Sequence, residues 1–498
     1  MTSRPLDASR DALIALQQQL IAMLAAQNAA LAARMAELEA ANAELAGRVA
    51  RLERAASRNS GNSSLPPSLD DQPGRTPPPG KPKRVKGKRN PGKQPGAPGS
   101  HLAWSQSPDR VVPHFPQGAC ACGAALAGAA DLGVAASHQE IEIPQMAAEV
   151  IQHDLHEVAC RCGLVHRAAA PPGTGMPGTV TYGISLQAWC VYLMAAHAIP
   201  VHRCAELIEA LTGAEPSPGF VHGMLARAAA AVAAGNALIR ALIITASVIC
   251  AGETPIRVGP APKTRKKYLL VARTDLLTYY FPGDRSMATF DSFVFPDLSG
   301  AVIVHDRYQN YDKLPGLAHQ LCTAHLLRDI EDAAQSYPGA VWPGQIADAL
   351  RALIHAANTA RDQQLAAAPA EAIAADLRLF RHGVLAGLAS VRRVPGANKK
   401  QPPGRLLLQC LHDREDDVLR FLSDLRIPPT SNGAERDLRP AKTQQKISGR
   451  LRSEQVTRDR YAIRGYLSTA AKNGTHVFTA LRDALTGNPW MPPIPAIA

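Results

Sequence analysis

Leu24, Leu31, Leu38, Leu45 and Leu52 recur every seven residues without a break. Seven residues are close to two turns of α-helix, so the repeat commits this segment to one helix carrying a narrow leucine seam. The companion seam reads Ile21, Asn28, Met35, Asn42 and Val49, which puts leucine at d and the second series at a. Two asparagines at a positions favour a parallel, in-register pair, because each amide meets its twin only in that arrangement. Arg34 with Glu39 and Arg48 with Glu53 have the g-to-e spacing of interhelical ion pairs. A solitary surface helix is the alternative, but a helix this apolar along one stripe needs a partner. A homodimer through a coiled coil over residues 10–56 is therefore expected.

The segment that follows cannot build a core. Residues 57–104 are dominated by Ser, Asn, Pro and Gly, and between Gln72 and Ser100 eight Lys or Arg residues occur with no acid. This composition reads as a flexible basic linker. Lys83, Arg84, Lys86, Lys88 and Arg89 are its densest cluster, each able to neutralise a phosphate; a solvated spacer is the competing reading. The whole chain leans the same way, with Lys plus Arg exceeding Asp plus Glu by 12 and a pI of about 9.4. That balance favours a polyanionic partner, most simply nucleic acid, over an acidic membrane or a small acid. Its 498 residues exceed what one core fills, so several domains are expected. No N-terminal segment reads as a signal peptide and no stretch approaches the ~20 apolar residues of a bilayer span, so a cytoplasmic, nucleoid-associated protein is expected.

Nine cysteines are an odd number, and four fall in two close pairs, Cys120-Ala121-Cys122-Gly123 and Cys160-Arg161-Cys162-Gly163. Four thiolates can close a tetrahedral zinc site, and His153 or His166 could replace one sulfur. The one-residue spacing is tighter than the usual two to four, and four reduced cysteines in a small β module are the alternative. Residues 105–170 are read as this module, with strand signal at Glu140 to Ile143.

Residues 171–244 are mostly helical in pattern. Pro200 to Leu211 reads as one helix, Thr212-Gly213 as a turn, and Ser217-Pro218 as the N-cap and first position of the next. The arrangement is shared by DNA-reading helix-turn-helix units and by ordinary helical hairpins. The texture then changes over 245–330. Ala246 to Ile249, Tyr268 to Ala272 and Leu277 to Phe281 suit an antiparallel meander, a short helix is expected at Met287 to Val294, and Ala301-Val302-Ile303-Val304-His305-Asp306 reads as a buried fourth strand. Three strands, a helix and a buried fourth strand are the order expected of a ribonuclease-H-like fold, in which the first and fourth strands lie side by side. The fold class expected is thus α/β plus α, with that core preceded by the coiled coil, the cysteine module and the helical region. Alanine- and leucine-rich helices over 331–428 form an insertion, and 429–498 closes the chain.

Three segments carry a family resemblance. Thr430-Ser431-Asn432-Gly433-Ala434-Glu435-Arg436-Asp437-Leu438-Arg439-Pro440 resembles the glutamate motif of the insertion-sequence transposase family numbered sixty-six. Asp306-Arg307-Tyr308-Gln309-Asn310-Tyr311 resembles that family's second aspartate motif, and Cys322-Thr323-Ala324-His325 its following Cys-Trp-Ala-His helix. The resemblance implies a DNA transposase that binds element ends and catalyses phosphodiester cleavage and strand transfer by a two-metal route, in which hard oxygen ligands hold two Mg²⁺ (or Mn²⁺) ions. It implies Asp306 and Glu435 as catalytic metal ligands, and companion proteins of the same element as possible partners. Arg436 and Arg439 flank Glu435 and could hold DNA phosphates, or one could pair with Asp437.

The family's first aspartate opens an Asp-Glu-Thr triplet, whereas this chain reads Gly252-Glu253-Thr254. Strand neighbours point to opposite faces, so Glu253 is expected to turn away from Asp306 and Glu435. It could enter the site as a third catalytic carboxylate only if the strand has ended by Gly252. The alternative function is a transposase-derived DNA-binding protein without catalysis. A basic-zipper regulator is a third reading, but prolines interrupt the continuous basic helix it needs.

Overall fold

The computed structural model describes residues 5–59, 102–171, 179–259, 266–396 and 400–494. The basic cluster Lys83, Arg84, Lys86, Lys88 and Arg89 lies outside them. The chain divides into two compact units, Lys81–Ala169 with Ala205–Pro216, and Met1–Gly80 with Ala170–Cys204 and Ser217–Ala498.

The leucine repeat lies in a single helix, α1 (Pro5–Ser57), as its period requires. Its d-position leucines stay open, Leu31 being 63% exposed and Leu52 69%. In the smaller unit the strands form a hairpin of β1 (Glu157–Ala159) and β2 (Val165–Arg167), paired antiparallel. The strand expected at Glu140 to Ile143 does not form; that stretch is irregular and exposed, and its alternation has no neighbouring strand to pair with.

Four helices come next in the chain, α2 (Ile184–Val191), α3 (Val201–Thr212), α4 (Pro218–Ala231) and α5 (Ala233–Ile244), with α3 assigned from Ala205 onward to the smaller unit and the rest to the larger. The hydroxyl of Ser217 caps α4 by accepting from the Phe220 N–H at 3.2 Å, with Pro218 at the first position, as the sequence pattern requires. Among the described residues no single helix is long and apolar enough to cross a membrane; α4 and α5 together are, but they bend by 49°.

A five-stranded mixed sheet follows. It contains β3 (Val248–Ile256), β4 (Lys267–Arg273) and β5 (Thr278–Gly283), then α6 (Met287–Asp291), β6 (Val302–His305) and β7 (Ala318–Leu321). Their order across the sheet is β5-β4-β3-β6-β7. The first three form an antiparallel meander, and β6 lies parallel to β3 with Val248 beside Val302 and Cys250 beside Val304. The first and fourth strands of this region are therefore neighbours, as expected. β7 went unread in the sequence because Ala-His-Gln-Leu is short and half polar; it pairs parallel to β6.

The helices are α7 (Thr323–Ser336), α8 (Trp342–Asp362), α9 (Ala370–Ser390), α10 (Pro403–Asp413) and α11 (Glu415–Leu419), then α12 (Asn432–Ile447), α13 (Glu454–Lys472) and α14 (Val477–Leu485). One apolar core joins Cys250, Val271 and Val304 of the sheet to Leu326 and Ile330 of α7, Ala434 and Leu438 of α12, and the insertion helices. The fold is mixed α/β with a helical insertion between β7 and α12.

Candidate active site

Alternation along β3 decides which groups can meet. Gly252 is in mid-strand, because β3 continues to Ile256 and pairs with β4 throughout, Gly252 lying opposite Val271. A Cβ built on Gly252 would sit 3.5 Å from the Ala434 Cβ and 3.5 Å from Leu438 Cδ1, so this position faces α12. Asp306 lies one residue past β6; with Cys250 beside Val304, it is level with Gly252 on the neighbouring strand. Its Oδ1 accepts from the Tyr308 N–H at 2.9 Å, which turns the chain sharply away from the sheet. Glu435 stands in the first turn of α12, where the positive end of the helix favours a carboxylate.

Two cations from α7 hold Glu435. His325 Nε2 lies 3.3 Å and Arg328 Nη2 3.4 Å from its Oε1. His325 in turn is backed by the Cys322 thiol, which also accepts the Ser431 N–H at 3.2 Å. Burial acts to lower the His325 pKa, but the Cys322 hydrogen bond and the Cys322 and Glu435 charges outweigh it, so the ring is raised above its ordinary value. The Thr323 backbone N–H and hydroxyl both donate to the Pro429 carbonyl, at 3.0 and 2.9 Å, tying the start of α7 to the approach of α12. The sequence marked Cys322 and His325 as part of a motif but gave no hint of this contact, since Glu435 is more than a hundred residues away.

Asp437 is a structural acid. Its Oδ2 lies 3.1 Å from Arg273 Nε and 2.7 Å from Lys472 Nζ, and Thr278 Oγ1 donates to it at 3.2 Å. The expected alternative of a pair with Arg436 or Arg439 is corrected here: one turn of helix carries both arginines to the exposed side of α12, and neither forms an ion pair among the described residues. Gly433 admits this arrangement, because a Cβ there would lie 2.0 Å from Arg273 Nη1.

Glu253 takes the other face. Its carboxylate accepts from Arg285 Nη2 at 2.8 Å and from the Tyr311 hydroxyl at 2.7 Å, and its side chain is 1% exposed. Arg285 is itself stacked between the rings of Tyr268 and Tyr308, its guanidinium carbon 4.6 and 4.4 Å from their centres. Burial, helped by the Asp306 charge, pushes the Glu253 carboxyl up to about 7 despite those two donors. Glu253, Asp306 and Glu435 do not converge to within 4.8 Å of one another. The expectation that Glu253 could complete the site if β3 ended by Gly252 is therefore not met, and the pleat is the reason.

The described residues do bring three other ligating groups within 4.8 Å of one another: His305, Asp312 and His319. His305 Nε2 faces His319 Nδ1 at 3.0 Å, and burial pushes the His305 ring down to about 3 and lowers His319 as well. Spacing along the chain gave no signal for this group; only the parallel pairing of β6 and β7 creates it.

The cysteine pairs occupy twin turns. In each, the glycine N–H donates to the first cysteine's carbonyl at 2.8 Å (Gly123 to Cys120, Gly163 to Cys160), and both glycines have φ near +90°, at 88° and 89°. Within each turn the second cysteine's hydrogen bonds lower the pKa of Cys120 or Cys160. No three of the four sulfurs come within 4.8 Å of one another, so the pairs are not brought together here.

The sequence model described as Transposase IS66 family matches residues 179–459, more than half of the chain. A second, described as a family of unknown function (DUF6444), matches residues 7–103. No curated protein matches the chain. The first match covers the sheet, the insertion and α12, and the class it defines is the insertion-sequence transposases, for which DNA is the partner and divalent metal the cofactor. The chain belongs to the Transposase IS66 family.

Proposed function

We propose that this chain is a DNA transposase whose sheet is a ribonuclease-H-like core, with Asp306 and Glu435 as the surviving members of its metal site and Gly252 as a lost third carboxylate. One observation carries the reading: the β3–β6 register, carried on from the Cys250–Val304 pair, sets Asp306, one residue past β6, level with Gly252, and the Gly252 face looks onto the helix that bears Glu435. Carboxylate oxygens are the donors that Mg²⁺ and Mn²⁺ prefer, so the two acids fit such an ion and the set is one ligand short. A divalent cation bound there would stabilise charge on phosphate oxygens and activate the attacking hydroxyl.

The protein's own groups have separable parts in this scheme. His325 and Arg328 fix the Glu435 carboxylate, and the Ser431 N–H holds the Cys322 sulfur at the start of the same helix. Arg436 and Arg439, exposed beside Glu435, present charge to DNA phosphates. The basic cluster from Lys83 to Arg89 adds sequence-independent contacts, α1 pairs two copies through its leucine seam, and the twin cysteine turns, apart in this structure, offer Cys120, Cys122, Cys160 and Cys162 to a zinc ion that would draw them together. The expected behaviour is tight binding of element ends with weak strand transfer.

Gly252→Asp tests this directly. A Cβ at this position meets only ordinary van der Waals contacts at 3.5 Å, so the backbone admits a side chain there. End-labelled DNA cleavage and strand transfer with Mg²⁺ and then Mn²⁺ should rise by roughly 10²-fold or more in the variant, the scale of one lost electrostatic group. Equal, robust activity in the unaltered protein would overturn the impaired reading. Inactivity of both, with DNA binding retained, would favour the non-catalytic DNA-binding alternative.

A further inference from the structure

We infer that His305, Asp312 and His319 form a second metal site, of the zinc class, on the sheet face away from α12. Its ligands are distinct from those of the carboxylate site and of the cysteine turns. His305 ends β6, His319 lies in β7, and Asp312 is in the short helical turn Tyr311–Lys313, so one ion would staple three pieces of chain.

The donor atoms are already gathered. His305 Nε2 and His319 Nδ1 face each other at 3.0 Å, close to the ~3.3 Å between donors on a tetrahedral zinc with bonds of about 2 Å. The Asp312 carboxylate lies within 4.8 Å of both. The outer contacts are those a metal site needs. His305 Nδ1 hydrogen-bonds to the Asp306 carbonyl, which fixes the tautomer with the proton on Nδ1 and aims the Nε2 lone pair at His319 Nδ1, in a hydrogen bond that a shared ion would replace. The ring is stacked on Tyr311 with centroids 4.5 Å apart. Arg414 Nη1 donates to Asp312 Oδ1 at 2.7 Å, orienting the carboxylate while its second oxygen remains available. Asp312 is 42% exposed on its side chain, so an ion has a path in from solvent. Two imidazoles and a carboxylate with an open fourth position suit zinc better than Mg²⁺, which demands near-octahedral oxygen.

The site's consequence is positional. The segment from His305 to Asp312 contains Asp306, and an ion held at its two ends would fix the turn that presents that carboxylate.

The test is metal content of the full-length protein after dialysis, followed by titration with Zn²⁺ alone. His319→Gln and Asp312→Asn should each lose one zinc per chain relative to the unaltered protein, or bind it at least tenfold more weakly. Glu435→Gln should retain the full content, which separates this site from the carboxylate site without any DNA assay. Asp312→Asn changes a half-exposed group and keeps the test valid if His319→Gln misfolds. Unchanged zinc content and titration in both variants would overturn the inference, as would complete loss of zinc on replacing Cys120 and Cys160 alone. Failure of strand transfer in every variant would bear on the proposed activity and leave this result standing.

Discussion

At the scale of single residues, one position of pleat separates two very different environments. Gly252 looks onto α12, whereas the next side chain, Glu253, is sealed behind Arg285 and Tyr311 on the opposite face. A carboxyl held near 7 in the fold and near 4.5 when unfolded binds more protons in the native state across that window. Its linkage therefore makes the protein most stable below about pH 4.5, and that contribution is lost as the pH rises through about 7. The loss is on the order of 3 kcal/mol. Glu253→Gln should flatten the fall in stability between pH 5 and 7, measured by urea unfolding with EDTA present. Parallel slopes in the two proteins would show that Glu253 is ionised in the fold.

At the scale of elements, α12 is held at both flanks. Glu435 is met by His325 and Arg328 of α7, while Asp437 binds Arg273 of β4 and Lys472 of α13, and the Tyr280 hydroxyl donates to the Asp437 carbonyl. The Asp437 side chain is only 14% exposed. Removing its charge leaves Lys472 with no acid and Arg273 with only the exposed Asp275 at 3.4 Å, and breaking a sheltered pair typically costs ~3 kcal/mol or more. Asp437→Asn should lower the unfolding free energy by about 2–4 kcal/mol, more than Asp483→Asn, an exposed acid of α14. Equal effects of the two substitutions would remove Asp437 from the anchoring of α12. Little of this anchoring was legible beforehand. Patterning placed the three antiparallel strands, the buried run ending at His305 and the capped start of α4, because these depend on neighbours in sequence. β7, the His305–His319 approach and the roles of Cys322, His325 and Arg273 depend on which distant strands and helices become adjacent, and no local period encodes that. Gly252 was readable as a missing acid, but the face occupied by Glu253 required knowing that β3 runs on to Ile256.

At the scale of the whole molecule, the N-terminal helix presents a seam that no other described residue covers. Leu24, Leu31, Leu38, Leu45 and Leu52 are between 48% and 69% exposed along one line of α1, with Ile21, Met35 and Val49 beside them at 51% to 66%. Burying such a leucine is worth about 1.5–3 kcal/mol, so a second copy docking along the seam gains far more than the few kcal/mol a micromolar dimer requires. Asn28 and Asn42 at a positions would set that copy parallel and in register, and a dimer would carry two copies of the basic linker sequence. A transposase must hold two element ends at once, and two chains joined at their N termini offer one site per end with a raised effective concentration for the second. Leu31→Pro with Leu38→Pro breaks the helix in the middle of the seam, at a cost of about 3 kcal/mol per proline before any lost packing. Light scattering should then report the mass of one chain in place of two, and DNA containing two element ends should lose its advantage over a single end in competition binding. An unchanged mass would eliminate the seam as the dimer contact, whereas a monomer that still prefers paired ends would place pairing elsewhere in the fold.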